Sequence, residues 1–446
     1  MYFKWQSSLL WRIKYVCLLS CFLLTWSTIH EYSSAEVLTL KQLTEQAIRH
    51  FYPLKISQID VKINRTDIKS ARSDYFPTIR TSVNIERLKS LQSNPTQVTT
   101  IGTTVLPTGT RFQNSISVSL NHTLIDFGVR KQKVAMAKHA TEAKASEYSQ
   151  ILRDLKIKLV ELYTDALISY KSMKANEALL TLAQKQYNLK KRLHQSGSIS
   201  TVPVAEDAIQ VAQSLDNIQV YKDQYSQKLQ SLSYYTRENY DPQTTELEDL
   251  SEDTQDGTIS VLLQHSPEAR MYDALIAQKQ SEISYLKRQY LPSVSWYSYY
   301  NLYGFDPNHF NQSVSSLSQR TVSLGLSMSL PVFDGFKNQA AIEKAQLEKE
   351  KLQLQKEDKL AQLQNQADLY QKQVDGYSVE LNTKATILNT TQDKLTMMTR
   401  LSEQKIVDQT QAIKEHMGRI QKQVDLEKSM IQGVSALMKL KILAEG

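Results

Sequence analysis

One pattern occurs twice in this chain, 208 residues apart (334 − 126), and this repeat limits the architectures that the chain can adopt. In each copy an alternating segment ends at an aspartate, Asp126 or Asp334, and a long helical pattern follows. Apolar positions then recur in steps of three and four residues, from Leu152 in the first copy and from Leu360 in the second. Such steps form a heptad seam. A repeat this long predicts two copies of one structural unit rather than a solenoid of short repeats.

The composition favours long helices and gives little support to nucleic-acid binding. Only 12 glycines and 10 prolines occur among 446 residues, so long uninterrupted helices are expected. The 53 lysines and arginines exceed the 46 aspartates and glutamates, which gives a net charge of +7. Basic residues are mixed with acidic and amide residues along helix faces, as in the segment 343–357. Such mixing is typical of a solvated surface, and we expect no nucleic-acid partner.

The segment 1–35 has the features of a secretory signal peptide. Basic residues precede an apolar run over 15–26, and small residues end the segment at Ala35, where we expect cleavage. Both cysteines, Cys17 and Cys21, fall before this point, so the mature chain is expected to lack disulfides and thiolate metal sites. An alternative interpretation takes Leu18-Leu19-Ser20-Cys21 as a lipidation box, which would leave a lipid on Cys21.

Four segments show the period of two that is typical of β-strands, with apolar residues alternating with serine, asparagine and threonine. We predict strands at about 78–88, 111–122, 293–303 and 321–332. This pattern fits transmembrane strands with a polar lumen, and a half-buried soluble sheet is the alternative. The signal peptide and the lack of another apolar element to cover a sheet favour the membrane. Since four strands cannot close a barrel, strands from several subunits must combine.

The helical patterns complete each copy. The first repeat, 36–240, is predicted to contain a helix over 36–75, broken near Pro53, and a long helical hairpin over about 127–238. The second repeat, 258–446, is predicted to contain a corresponding first helix and a hairpin over about 335–441. We expect Asp126 and Asp334 to cap the first helix of each hairpin. An acidic, polar linker is predicted at 241–257.

Several short motifs, in this order and spacing, resemble the TolC-type outer-membrane channels of efflux pumps and type I secretion systems. The motifs are Tyr75-Phe76-Pro77, Tyr290-Leu291-Pro292, Leu330-Pro331-Val332-Phe333-Asp334-Gly335 and Ile406-Val407-Asp408. The resemblance implies a membrane α+β fold in which three protomers, built from two internal repeats, each give four strands to a 12-stranded β-barrel. It also implies that the barrel continues into a long periplasmic α-helical barrel.

The same resemblance implies a function and a location. It places the chain in the outer membrane of a Gram-negative bacterium, in contact with outer-membrane lipid, with its helices in the periplasm. The homotrimer would serve as a passive exit duct for a periplasmic adaptor and an inner-membrane transporter. The alternative is a soluble periplasmic coiled-coil protein, either an adaptor or a structural protein. An adaptor would be expected to carry one helical hairpin and a compact β-rich domain, whereas this sequence predicts two hairpins.

The resemblance also points to two groups of functional residues. Pore-constriction candidates are Asp408, Gln411 and Gln404. The family often has two acidic residues three apart after the Ile-Val pair; here Asp408 matches the first, and Gln411 stands at the position of the second. For Asp408, an ordinary helix N-cap is the alternative role. The residues expected to dock the adaptor at the two helical turns are Ser196, Gly197, Ser198, Ile199, Leu401, Ser402 and Glu403. The second of these turns lacks the glycine that the family usually carries there.

We find no sequence pattern that indicates catalysis. The histidines are scattered without metal-ligand spacing, and neither a nucleophile elbow nor a phosphate-binding glycine loop occurs. The aspartates Asp249, Asp253 and Asp256 lack the spacing of a calcium-binding loop. The prediction is therefore a protein that is not an enzyme and holds neither a metal nor a cofactor.

Overall fold

The structure is a computed structural model, and it describes residues 36–89, 99–101, 104–106, 111–250 and 265–445. The predicted signal peptide, the alternative lipid site at Cys21 and the part of the predicted linker over 251–257 lie outside these residues. The chain forms two compact units, each from three separate segments. Of the described residues, those within 36–47, 162–250 and 384–431 form unit 1, and those within 48–161, 265–383 and 432–445 form unit 2.

Long helices dominate the fold, as the low glycine and proline content predicts. The helices are α1 Leu40–His50, α2 Tyr52–Ser73, α3 Val129–Gln195, α4 Val202–Thr236, α5 Pro267–Arg288, α6 Phe310–Ser315, α7 Lys337–Glu403 and α8 Gln409–Glu445. Helices α3 and α7 have 67 residues each. Among the residues that the structure describes, no helix is both long and apolar enough to cross a lipid bilayer.

The strands form one large sheet and two small ones. They are β1 Glu36–Leu38, β2 Thr78–Leu88, β3 Thr99–Ile101, β4 Thr104–Leu106, β5 Arg111–Ile125, β6 Thr245–Leu247, β7 Ser293–Asp306 and β8 Gln319–Ser329. The large sheet, in unit 2, has the order β2-β5-β7-β8 with every neighbouring pair antiparallel. The central strands β5 and β7 extend beyond the predicted segments, because they continue to pair with each other there: Thr123 with Ser295, and Phe112 with Asp306. Strand β8 ends at Ser329 instead of 332, because Pro331 has no N–H to donate to a ladder.

The two faces of the large sheet differ in chemistry. One face carries apolar side chains that are 61–69% exposed in the protomer: Ile79, Val83, Ile85, Val322, Leu324, Leu326 and Met328. The opposite face is rich in hydroxyl groups, and the side chains of Ser82 and Ser117 are hydrogen-bonded across it at 2.8 Å. The predicted alternation is therefore present in the folded sheet.

Unit 1 contains a small parallel sheet that the sequence analysis missed. Strand β1 lies where a helix was predicted to begin, and it pairs with β6, which lies inside the predicted linker. The hydroxyl of Tyr163 is 2.8 and 2.7 Å from the carbonyl oxygens of Leu38 and Glu248, and Tyr225 donates to the carbonyl of Thr245 at 2.8 Å. Burial raises the pKa of both phenols, so they remain protonated donors. Strands of three residues are too short to show a period.

A similar turn leads from strand to helix in each repeat. Helices α3 and α7 begin three residues after Asp126 and Asp334, so neither aspartate is the residue next to its helix, as the capping prediction assumed. Their carboxylates still accept first-turn N–H groups, from Arg130 at 2.8 Å and Asn338 at 3.0 Å. Burial alone would raise the pKa of Asp126, but the N–H groups of Arg130 and Gly128 and the Arg130 guanidinium hold it below its usual value.

The heptad seam forms a core in unit 2. Leu363 and Ala367 of α7 are buried against Leu440 and Leu443 of α8, and each of the four is at most 3% exposed. Partly buried side chains at further seam positions, Leu360, Tyr370 and Val374, pack around them. Because the buried positions follow the three-and-four steps, the two arms of the second hairpin pack as a coiled coil does.

Candidate functional site

The arms of each helical hairpin are joined by polar contacts at equivalent positions in unit 1. In the first hairpin, the side-chain amide of Gln186 donates to the Asp207 carboxylate at 2.8 Å. In the second, Lys394 Nζ lies 2.7 Å from Glu415 Oε1. Both partners of the second pair lie 208 residues (394 − 186, 415 − 207) after those of the first. The repeat is therefore visible in side-chain contacts as well as in the sequence.

The two hairpins place their turns at the same end of unit 1. Gln210 of α4 contacts Met417 of α8 at 4.0 Å, and Lys428 of α8 lies over the ring of Tyr221 of α4 at 5.5 Å. In both contacts the partners are equally far from the first residues of their helices, Val202 and Gln409. Helices α4 and α8 are therefore parallel and in register, and so the turns that precede them lie side by side.

The first turn closes in a Schellman arrangement. Ser198 N–H donates to the carbonyl of Leu193 at 2.9 Å, and Gly197 N–H donates to that of His194 at 2.9 Å. Gly197 has a φ of +75°, the left-handed conformation that glycine adopts without a steric penalty. The candidates Ser196, Gly197 and Ser198 are exposed at this turn, and Ile199 is partly buried.

The second turn repeats this geometry with a lysine in the place of glycine. Ile406 N–H donates to the carbonyl of Leu401 at 2.9 Å, and Lys405 N–H donates to that of Ser402 at 3.0 Å. Lys405 has a φ of +58° and lies 208 residues (405 − 197) after Gly197. Helix α7 continues through Glu403, so the predicted turn residues Leu401, Ser402 and Glu403 form its last turn. The turn itself comprises 404–408, and adding the repeat length to Gly197 would have located it.

Asp408 is the N-cap of α8. Its carboxylate accepts the backbone N–H of Thr410 at 3.2 Å and is also hydrogen-bonded to the Thr410 hydroxyl. The backbone carbonyl of Asp408 accepts the N–H of Gln411 at 3.0 Å. The side chains of Asp408, Gln404 and Gln411 are all exposed in the protomer. The capping role is thus present in the structure, and it leaves the other face of the carboxylate open to solvent.

A cavity of about 690 Å³ lies beside the second turn, between the end of α7 and the start of α8. Its walls include apolar groups from Leu395, Ile406 and Ile413 and charged groups from Glu403 and Lys405. The parts of the chain that the structure describes contain no cluster of three or more histidine, cysteine, aspartate or glutamate side chains placed to hold a metal ion.

One protein-family model matches part of the chain. The family model described as "Outer membrane efflux protein" matches residues 44–236, a range that includes the first helical hairpin. None of the curated proteins compared with the chain matches it in sequence.

Solved structures share the fold over nearly the whole chain. The outer membrane protein VceC from Vibrio cholerae is 14% identical and has a TM-score of 0.73, over 91% of this chain and 96% of that one. The outer membrane channel CmeC from Campylobacter jejuni is 12% identical and has a TM-score of 0.74, over 91% and 85%. CusC, in a structure concerned with transmembrane channel formation, is 14% identical with a TM-score of 0.73, over 93% and 95%. Residues 44–236 thus match the outer membrane efflux protein family, and the chain shares its fold with solved outer-membrane channels.

Proposed function

We propose that three copies of this chain form the outer-membrane exit duct of an efflux pump or type I secretion system. The observation that carries this proposal is the four-stranded sheet, which has an exposed apolar face. Among the described residues, each of its two outer strands, β2 and β8, has one unpaired edge. In a bilayer every backbone N–H and carbonyl must find a partner within the protein. Pairing β8 of one protomer with β2 of the next satisfies both edges.

The direction of the strands agrees with this closure. Neighbouring strands alternate in direction from β2 to β8, so the first and the fourth run oppositely. Joining β8 to the next copy's β2 therefore makes another antiparallel pair. Three copies then give a closed barrel of 12 strands whose apolar face contacts lipid and whose hydroxyl-rich face lines the lumen.

The two neighbouring turns are the proposed docking surface for a periplasmic adaptor. Ser196, Gly197, Ser198 and Ile199 form the first part, and Leu401, Ser402 and Glu403 lie beside the second turn. The structure supports extending the second part to Lys405, whose position corresponds to Gly197. The cavity next to Glu403 and Lys405 offers an adaptor both apolar contact and charge pairing.

The pore constriction is proposed at the same end. In a threefold assembly, three copies of Asp408 would surround the axis, with Gln404 and Gln411 beside them. Their exposure in the protomer leaves these side chains available to line a narrow passage. Like charges at short separation attract counterions, so the ring would favour cations.

Membrane fractionation and channel recording test the function. We expect the mature chain in the outer-membrane fraction, as a trimer that resists detergent at room temperature and dissociates on heating. The purified trimer should conduct ions in a planar bilayer. Recovery from the periplasm as a monomer without conductance would instead favour the soluble coiled-coil protein.

Site-specific cross-linking tests the docking surface. A photoreactive amino acid at Ser198 or Lys405 should capture an adaptor in intact cells. The same group at Glu350, which is exposed on α7 far from the turns in sequence, is the control. Equal capture from all three positions would contradict docking at the turns.

A further inference from the structure

The hydroxyl-rich face of the large sheet carries a charged residue, Arg80, among small polar residues. Strand pairing places Arg80 opposite Ser119, Ser119 opposite Tyr299, and Tyr299 opposite Ser323. The four residues therefore form one row across the sheet. Arg80 is exposed in the protomer, and the Ser119 hydroxyl donates to its backbone carbonyl at 3.3 Å.

The neighbours of Arg80 along the strand fix the face on which it lies. Side chains alternate between the faces of a strand, so Arg80 shares its face with Ser82 and opposes that of Ile79. Ile79 is 69% exposed on the apolar face, whereas Ser82 is hydrogen-bonded to Ser117 on the polar face. In the closed barrel, Arg80 therefore lies on the face that lines the lumen.

No nearby carboxylate on this face neutralises Arg80. Within the described residues of the four strands, the polar face carries one carboxylate, Glu86, six residues farther along β2 and opposite Gln113. At about 3.3 Å per residue this separation is roughly 20 Å, twice the Debye length of about 10 Å at 0.1 M salt.

Two of the three aspartates near the base of the sheet have cationic partners. Asp74 lies 2.6 Å from Lys133 Nζ, and Asp126 lies 2.8 Å from Arg130 Nε. The third, Asp334, accepts the N–H of Asn338 at 3.0 Å and the hydroxyl of Tyr290 at 3.3 Å, and it follows Ser323, the β8 residue in the row of Arg80, by 11 residues (334 − 323).

Tyrosines cover the wall near Arg80 without adding charge. The rings of Tyr297 and Tyr299 are 5.4 Å apart. The ring of Tyr297 occupies the space beside Gly325, where an added Cβ would clash with the Tyr297 hydroxyl. Tyr297 belongs to the next row of the same face, so the wall around Arg80 presents aromatic rings, serine hydroxyls and phenol groups. Hydroxyl groups donate hydrogen bonds to anions.

We propose that the three copies of Arg80 form a ring of positive charge in the barrel lumen that favours anionic solutes. This inference rests on the proposed trimeric duct. A charged ring in a pore concentrates ions of the opposite sign. Solutes that carry carboxylate or phosphate groups are the class that it attracts on their way out.

Reversal potentials across a KCl gradient in planar bilayers test the proposal. Arg80→Gln should raise the ratio of potassium to chloride permeability by about twofold or more, because it removes three lumen charges. Arg87→Gln is the matched control, since Arg87 lies on the other face, over the ring of Phe112 at 5.2 Å, and should leave the ratio unchanged. Arg80→Lys should retain the wild-type ratio. The test is the difference in permeability ratio between each variant and the wild type, because the proposed Asp408 ring favours cations and so offsets the anion preference of the Arg80 ring.

A second variant, Ser119→Glu, keeps the proposal testable if the Arg80→Gln protein fails to fold. Ser119→Glu places a carboxylate beside Arg80 and should shift the permeability ratio in the same direction as Arg80→Gln. If conducting trimers of both variants keep the wild-type ratio, the Arg80 ring is refuted while the duct stands. Failure of the wild-type protein to form conducting trimers would instead refute the proposed function.

Discussion

At the scale of single residues, the two hairpin turns share a backbone conformation but differ in the residue that adopts it. Gly197 and Lys405 both have positive φ values and both make the hydrogen bonds of a Schellman motif. The left-handed conformation costs a side-chain-bearing residue roughly 1–2 kcal/mol, and it costs glycine almost nothing. Because it has lysine at this position, the second turn is expected to be less stable than the same turn with glycine would be.

Exchange of the residues at these turns should change stability in opposite directions. Lys405→Gly should raise the midpoint of thermal unfolding, with a gain of about 0.5–1 kcal/mol after the extra freedom of glycine in the unfolded chain is subtracted. Gly197→Ala should lower it, at a cost of about 1–2 kcal/mol. Circular dichroism of the detergent-solubilised protein measures both. Gln404→Gly is the control, since Gln404 does not have a positive φ, and a gain as large as that of Lys405→Gly would contradict this account.

A second residue-scale feature is a buried ion pair in unit 2. The guanidinium of Arg153 is bonded through both terminal nitrogens to the Glu268 carboxylate, one of these bonds being 2.7 Å, and the two side chains are 6% and 1% exposed. Glu268 lies in the first turn of α5, which Ser266 caps by accepting the N–H of Ala269. Burial of both charges is tolerable only while each has its partner.

Removal of one charge from this pair should destabilise the protein strongly. Glu268→Gln is expected to cost about 3–5 kcal/mol, because it leaves the Arg153 charge buried without a counterion. Arg153→Met combined with Glu268→Gln should recover part of that loss. Asp154→Asn is the control, since Asp154 is 54% exposed and its bond to Arg153 should contribute less than about 1 kcal/mol. Equal unfolding midpoints for Glu268→Gln and Asp154→Asn would show that the buried pair contributes little.

At the scale of elements, the sequence predicts the strands and helices that have a regular apolar period, and it misses the two short strands that have none. The four strands of the large sheet and the long helices follow regular patterns, and their positions differ from prediction by a few residues at the ends. Strands β1 and β6 have three residues each and are held by buried tyrosine hydroxyls from α3 and α4. Such long-range contacts leave no local pattern. The division into contiguous repeats, 36–240 and 258–446, stays a prediction.

The faces of strand β8 should differ in their tolerance of charge. Leu324 is 67% exposed on the apolar face, and Leu324→Arg should hinder insertion at a cost of about 2–4 kcal/mol if the site lies near the membrane midplane. Ser327 lies on the polar face, opposite Ser295, so the Ser327→Arg protein should assemble normally. The yield of heat-modifiable trimers in the outer membrane measures both effects. Equal yields would mean that the lipid and lumen faces are assigned wrongly.

At the scale of the whole molecule, the repeat and the unpaired strand edges lead to one architecture. Each repeat supplies two strands and one helical hairpin, and the resulting sheet of four strands cannot satisfy its own edges. The number of copies does not follow from this argument, since eight strands also close a barrel. The resemblance to the TolC family implied the trimer, and the shared fold with solved outer-membrane channels confirms the fold class. In the proposed trimer, threefold symmetry would arrange any exposed charge near the axis as a ring of three.

Asp408, at the second turn, is the residue proposed to form such a ring. Asp408→Asn should leave folding and trimer formation intact, because asparagine caps a helix as well as aspartate does and can still accept the N–H of Thr410. Removal of three charges from a narrow ring should lower cation selectivity and weaken block by multivalent cations, since charges a few ångströms apart are little screened. Single-channel recording across a salt gradient measures both. An unchanged reversal potential together with unchanged block would leave Asp408 with the capping role alone, and Gln404 and Gln411 would then become the residues to test at the constriction.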